Sequence, residues 1–145
     1  MIAEIVFKTT NDADLVSIER IAQSILVLRE QRVLLDSSLA AMYGVPTKRF
    51  NEQVKRNLAR FPADFAFQLS DEEAESLRSQ IATLKKGGRG QHRKYLPYAF
   101  TEHGAIMAAM VLNSARAVEM SVYVVRAFVQ LRSVLHRMQT SGGEL

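Results

Sequence analysis

The sequence of 145 residues contains no cysteine, which excludes disulfide bonds, thiolate nucleophiles and cysteine-ligated zinc or iron–sulfur sites. It also lacks any run near the roughly 18 uninterrupted apolar residues of a membrane span. The N-terminal segment does not have the basic-then-apolar order of a secretion signal. These absences predict a cytoplasmic protein with no membrane partner.

Residues suited to catalysis are equally few, because the chain has only three histidines. His103 follows Glu102, but neighbouring residues on a helix diverge by about 100°, so a dyad or metal pair would need further partners and we expect a structural role. The acidic residues at 71–75 follow Ser70 at capping-box spacing, which explains them better than magnesium binding does. The sequence therefore predicts no enzyme, metal site, cofactor or small-molecule substrate.

The net charge is only +4, but the charges are unevenly distributed along the chain. Residues 29–60 hold seven basic and three acidic side chains, and residues 85–94 hold five basic and no acidic ones. Between them, residues 64–78 hold five acidic side chains and one arginine. Two basic segments thus flank an acidic one, a polarity that would orient the molecule on a polyanion.

The periodicity and turn signals predict an α+β, mainly helical fold: a winged helix-turn-helix-like core with short β-hairpins and a long C-terminal helix. Apolar runs on either side of Glu30 and Gln31 indicate the first hairpin. We predict an edge strand or loose arm over 1–19, a single domain over 20–138 and a disordered tail over 139–145.

The stretch "LDSSLAAMYGVPTKRFNEQVKR" predicts two helices joined by a tight turn. Asp36 is suited to cap the first helix and Gly44 to end it in a left-handed conformation. Pro46 prevents continuation of that helix, and Thr47 is suited to cap a second one over 48–60.

The second helix has an apolar face and a basic one. Phe50, Val54, Leu58 and Phe61 share the face that we expect to point to the core. The remaining surface carries side chains suited to phosphates and base edges: Thr47, Lys48, Arg49, Asn51, Gln53, Lys55, Arg56, Asn57 and Arg60. The alternative is an ordinary solvated helix in which Glu52 pairs with Lys48 and Arg56.

The basic loop at 85–94 is rich in glycine and is predicted to be exposed. Possible strands at 82–84 and 95–100 would make it a wing that lies along a nucleic-acid backbone or enters a minor groove. Its contact residues would be Lys85, Lys86, Arg89, Arg93 and Lys94. The alternative is a soluble loop without a partner.

The C-terminal third of the chain predicts two more helices. Thr101 is suited to cap one over 102–112, and Ser114 to cap the longest, which reaches about Met138. Apolar residues recur along this last helix at steps of three and four: Ala117, Ser121, Val124, Phe128, Leu131, Leu135 and Met138. This seam is expected to pack on the domain, and the helix over 115–138 is also a candidate for homodimer formation.

The segments "QRVLLDSSLAAMYGVPTKRFNEQVKRNLARFPADFAFQLSDEE" and "AFTEHGAIMAAMVLNSARAVEMSVYVVRAFVQLR" resemble the phage ORF-six N-terminal domain family, a relative of the KilA-N domain of phage and large DNA viruses. The resemblance covers about residues 20–135. It implies a DNA-binding module of phage or prophage regulatory proteins, with the contact role falling on matching positions in "VPTKRFNEQVKRN". Asn51 and Asn57 have a structural alternative there, and "FPADF" and "FTEHG" are similar to scaffold signatures.

We therefore expect sequence-specific binding of double-stranded DNA, with the helix over 48–60 in the major groove and the 85–94 loop on the backbone. A dimer would read a two-fold symmetric site. The alternative is an antirepressor-like module in which the same basic surface binds an acidic host or phage regulator.

Overall fold

The structure is a computed structural model that describes residues 12–80 and 95–144, with side chains over 17–80 and 95–138. Its helices are α1 (Asp12–Ser24), α2 (Asp36–Tyr43), α3 (Thr47–Arg56), α4 (Asp71–Gln80), α5 (Glu102–Leu112) and α6 (Ala115–Glu144). Its strands are β1 (Leu26–Leu28), β2 (Gln31–Leu35), β3 (Ala66–Gln68) and β4 (Tyr98–Phe100), and a 3-10 turn spans Leu58–Arg60. The predicted α+β, mainly helical fold is confirmed.

The four strands form one antiparallel sheet in the order β1-β2-β4-β3. Phe100 of β4 stands between Leu34 of β2 and Ala66 of β3, and these residues face the main core. Because neighbouring residues on a strand point to opposite faces, Ala99 belongs to a smaller core on the other side. Both edges of β4 are therefore paired within the described residues, and the strand predicted at 82–84 lies outside them.

The predicted first hairpin is confirmed, and its turn has unusual residues. β1 and β2 are joined by Arg29 and Glu30 alone, with φ values of 54° and 63°. Two left-handed residues make the twist of a two-residue turn match that of the strands, a conformation usually supplied by Asn-Gly. The Arg29 side chain reaches across to α4, so tertiary contacts hold a turn that local sequence preference does not favour.

The N-terminal prediction is wrong for residues 12–19, which belong to helix α1 rather than to an edge strand or loose arm. Ile18 and Ile21 of this helix are buried in the main core, where α1 packs against α6. Their spacing of three residues is helical, but these two core positions, among the α1 side chains described from residue 17, are too few to define a period in an isolated sequence. Residues 1–11 lie outside the described part of the chain.

The long C-terminal helix is confirmed, and Ser114 caps it by accepting a hydrogen bond from the Ala117 N–H at 3.1 Å. The predicted disordered tail is wrong for residues 139–144, which continue the helix. The seam is buried at Ala117, Val124 and Phe128 but exposed by its last turns. No described helix combines the length and the apolar composition that crossing a bilayer requires.

The segment "FTEHG" is a scaffold, as its resemblance implied. Thr101 Oγ1 donates to the carbonyls of Asp64 and Phe65, and the Thr101 N–H donates to Phe65 O at 3.0 Å. Gly104 then lies so close that a Cβ on it would stand 1.9 Å from the Phe65 carbonyl oxygen. His103 stacks on the Phe65 ring, so these contacts join α5 to the segment before β3.

The predicted capping box at the start of α4 is confirmed. Ser70 Oγ accepts from the Glu73 N–H at 3.1 Å, and Glu73 accepts in return from the Ser70 N–H at 2.8 Å. Glu73 also forms a two-point ion pair with Arg29, at 2.8 Å and 2.9 Å. The Arg29 hydrogen bonds and the capping contact lower the pKa of Glu73 from 4.5 to about 2.

Replacing Glu73 with glutamine should flatten the acid dependence of stability. A lowered pKa in the folded state stabilises the protein above pH 4.5, and this stabilisation disappears as the pH falls towards 2. Glutamine retains the capping box but not the charge. In urea denaturation from pH 5 to 2, the wild type should lose more stability than E73Q, whereas the neighbouring E72Q should follow the wild type. Parallel curves for the wild type and E73Q would contradict the ion-pair contribution.

Candidate nucleic-acid interface

Helices α2 and α3 are joined by a three-residue turn over 44–46. Gly44 adopts the left-handed conformation (φ 76°), and the Val45 N–H donates to Ala40 O at 3.0 Å, which closes the end of α2. The predicted caps are wrong by one residue: Leu35 and Pro46 precede the helices, and Asp36 and Thr47 are their first residues. The Asp36 carboxylate takes part in a tertiary network instead of capping α2.

Two buried side chains fix α3 to the body of the protein. Phe50 and Val54 enter the main core, and the Phe50 ring meets Phe100 edge to face at 5.2 Å. Phe61 meets the same ring at 5.9 Å and is also buried, as predicted. The prediction for Leu58 is wrong: it is 57% exposed, because α3 ends at Arg56 and a 3-10 turn redirects the chain before Arg60.

The outer face of α3 and the following turn is cationic, and it has no internal partners among the side chains that the structure describes. Within residues 17–80 and 95–138, its five cations are exposed and form no ion pair or side-chain hydrogen bond: Lys48, Arg49, Lys55, Arg56 and Arg60. Glu52 forms no pair with Lys48 or Arg56, so the solvated-helix alternative lacks its expected contacts. We call these five residues the α3 cationic face.

Asn51 has internal partners instead of a free amide. Its Nδ2 donates to Asp36 Oδ2 at 3.0 Å and to the Tyr95 hydroxyl oxygen at 3.0 Å. Asp36 is fully buried and also accepts from the Ser37 N–H at 2.7 Å, the Tyr98 N–H at 3.2 Å and the Tyr95 hydroxyl. We call Asp36, Asn51, Tyr95 and Tyr98 the Asp36 network. It ties the start of α2 and the middle of α3 to the entry of β4.

Asn57 also has a structural contact, because its Nδ2 donates to the Gln53 carbonyl oxygen at 2.8 Å and closes the end of α3. These contacts favour the structural alternative for both Asn51 and Asn57. Among the other predicted contact residues, Gln53 and Thr47 are half-buried beside the α3 cationic face. The five basic residues predicted in the 85–94 loop lie outside the described residues.

Arg116 of α6 extends this basic surface, and sequence reasoning missed it. Its Nε donates to the Met42 carbonyl oxygen at 3.4 Å, and its side-chain carbons cover Gly44 of the turn. Arg116 lines a pocket with Arg49 and Gln53 of α3. Nothing in "NSARAVE" indicates this position, since residues 44 and 116 meet only in the folded chain.

The fold is thus a mainly helical α+β domain that presents a basic helix after a tight turn. The family model of the ORF6N domain matches residues 23–111, which is more than half of the chain. The protein belongs to the ORF6N domain family, a phage-type domain. The matched range begins at the end of α1 and includes the sheet, α2 and α3, whereas α6 follows it. No curated protein and no solved structure gives a significant match.

Proposed function

We propose that this protein binds double-stranded DNA sequence-specifically as a phage-type regulatory protein, with α3 in the major groove. The observation that carries the proposal is the α3 cationic face: five exposed cations without partners among the described residues, on a helix anchored at Phe50 and Val54 and on the turn that follows it. Arginine and glutamine donate to base edges in fixed directions, and lysines neutralise phosphates. A helix held on its opposite side by core packing presents such groups at defined positions.

The pairing of α2 with α3 supports the same proposal. A turn closed by left-handed Gly44 and a supporting helix packed against the next one are features of helix-turn-helix modules, in which the second helix reads the groove. Base readout falls to Arg49, Gln53, Arg56 and Arg60, and backbone contacts to Lys48 and Lys55. The 85–94 loop is proposed to add phosphate contacts.

We also propose that two chains pair through α6. Within residues 115–138 its outer side carries exposed apolar residues that the core does not cover, among them Val118, Val122 and Val129 on one stripe. Leu135 and Met138 are also exposed, but they continue the inward seam of α6 beyond the core rather than this stripe. A dimer would present two α3 helices to inverted half-sites about one helical turn apart.

Selection of bound sequences from a random duplex pool tests binding, preference and symmetry together. A dimer should recover inverted half-sites, and a monomer a single one. Affinity for the recovered site should fall with salt at a slope of about −0.9 per phosphate contact. Failure to bind any duplex at low salt, with tight binding to one acidic regulator protein, would favour the antirepressor-like alternative.

Replacing Arg49 and Arg56 with alanine should remove the sequence preference. Each bidentate arginine–guanine pair contributes about 1–3 kcal/mol, so the double variant should bind the selected site on the order of 100-fold more weakly or worse. Affinity for a scrambled duplex should change much less. The measurement is fluorescence anisotropy against both duplexes.

The matched control replaces Arg20 and Arg137 with alanine. These exposed residues belong to α1 and to the last turns of α6, so the control removes the same charge from elsewhere. It should keep the preference for the selected site. If both double variants lost the same affinity for the selected site, the loss would follow from net charge alone, which would contradict base readout by α3.

A further inference from the structure

The pocket beside the α2–α3 turn has a volume of about 290 Å³ and lies between α3 and the start of α6. Arg49 and Gln53 form its α3 side, and Ser114 and Arg116 its α6 side. Tyr43 contributes to the lining, but its hydroxyl already donates to Ala105 O at 2.9 Å. The polar groups that remain for a ligand are therefore mainly hydrogen-bond donors, two of them guanidinium groups.

Arg116 is held in place while most of its donors stay free. Its side-chain carbons lie over Gly44, and its Nε donates to Met42 O, one of the carbonyls that the end of α2 leaves unpaired. A guanidinium has five N–H donors, and within the described residues this is the hydrogen bond that Arg116 makes. The other N–H groups are available beside the pocket.

We infer that this pocket binds a phosphate group through Arg116, and that the group is a backbone phosphate of the same duplex that α3 reads. The inference rests on the proposed function. A planar fork of donors matches the geometry of phosphate oxygens, and Arg49 adds a second positive charge without any carboxylate in the lining. Arg49 and Gln53 belong both to this lining and to the surface of α3 proposed to meet the duplex, which favours a phosphate of that duplex.

The role differs from base readout and makes a different prediction. A phosphate contact carries no sequence information, so its loss weakens binding to every duplex by the same factor. It also releases one fewer counterion, which lowers the steepness of the salt dependence by about 0.9. If Arg116 only capped α2, its loss would not lower the affinity for every duplex by the same factor together with the steepness of the salt dependence.

The test compares R116Q, R116K and the control R137A in salt titrations with the selected and the scrambled duplex. R116Q keeps the part of the side chain that covers Gly44 and should bind both duplexes roughly five-fold more weakly, with the salt slope reduced by about 0.9. R116K restores the charge and should recover most of the slope. R137A should match the wild type. Thermal unfolding of each variant confirms that it is folded.

The outcomes separate this inference from the proposed function. Wild-type DNA binding with an unchanged slope in R116Q would overturn the phosphate site and leave DNA binding in place. Loss of sequence preference in R116Q would also overturn it, by making Arg116 a base-reading residue. If the wild type binds no duplex but inorganic phosphate or a nucleoside monophosphate raises its melting temperature only when Arg116 is present, the pocket binds free phosphate and the proposed function fails. If the wild type binds no duplex and neither ligand raises its melting temperature, both the phosphate site and the proposed function are overturned.

Discussion

Replacing Gly104 with alanine should destabilise the protein by about 3 kcal/mol or more. The added methyl carbon would stand 1.9 Å from the Phe65 carbonyl oxygen and 2.8 Å from its carbonyl carbon. Both are backbone atoms, and the same oxygen accepts from Thr101, so no side-chain rotation can relieve the overlap. Helix α5 would have to move away from the segment before β3. Differential scanning calorimetry should show a melting temperature lower by roughly 10 °C.

The comparison variant for this experiment is Gly44 to alanine. There the nearest atom is a flexible side-chain carbon of Arg116 at 3.3 Å, and the main cost is the left-handed backbone, about 1 kcal/mol. G44A should therefore be clearly milder than G104A. A G104A protein as stable as the wild type would show that α5 does not approach Phe65 so closely.

Replacing Asp36 with alanine should cost about 3 kcal/mol of stability and weaken DNA binding as well. The change removes a buried carboxylate that accepts hydrogen bonds from four donors. These donors belong to Ser37, Asn51, Tyr95 and Tyr98. These donor residues are exposed or half-buried, so water compensates for part of the loss, and the remaining cost comes from donor groups that water reaches incompletely. Because Asn51 is in the middle of α3, the helix that carries the α3 cationic face should lose part of its fixed orientation.

Urea denaturation measures the stability of D36A, and anisotropy measures its affinity for DNA. D71A is the matched control: it removes a carboxylate from the same position of another helix, but one that is exposed. It should remain close to the wild type. Y95F removes one hydroxyl, which donates to Asp36 and accepts from Asn51, and should cost about 1 kcal/mol, less than D36A. If D36A and D71A were equally stable, the Asp36 network would contribute nothing to the fold.

The Asp36 network also explains why the sequence alone misjudged two residues. Asp36 before "SSL" is typical of a helix cap, and Asn51 on a basic helix is typical of a base-reading residue. Each local interpretation is sound for an isolated helix. The carboxylate and the amide face each other only because the α2–α3 turn brings residues 36 and 51 together. Tyr98 of β4 and Tyr95, which precedes that strand, complete the network.

Leu58 is another residue whose burial was predicted wrongly from the sequence. Extrapolating the helical period from Phe50 and Val54 places Leu58 in the core, but the helix ends before it. A prediction from periodicity assumes that the helix is continuous. Here the helix stops at Asn57, whose side chain donates to the Gln53 carbonyl oxygen, and the sequence has no strong signal for this stop.

By itself, the sequence determined the elements whose signals lie within a few residues of each other. These include the left-handed Gly44, the Ser70–Glu73 capping box and the caps at Thr101 and Ser114, because each depends on hydrogen bonds within about four residues of the chain. The basic character of α3 is likewise a property of the sequence.

Only the tertiary structure decided which polar groups are free. Contacts between residues 36 and 98, 42 and 116, and 65 and 104 depend on closing long loops around a shared core, and no local period encodes them. That folding gives the Asn51 amide internal hydrogen-bond partners and brings Arg116 to the turn. Among the described residues it leaves the cations of α3 unpaired and exposed, and the proposed DNA surface depends on that arrangement.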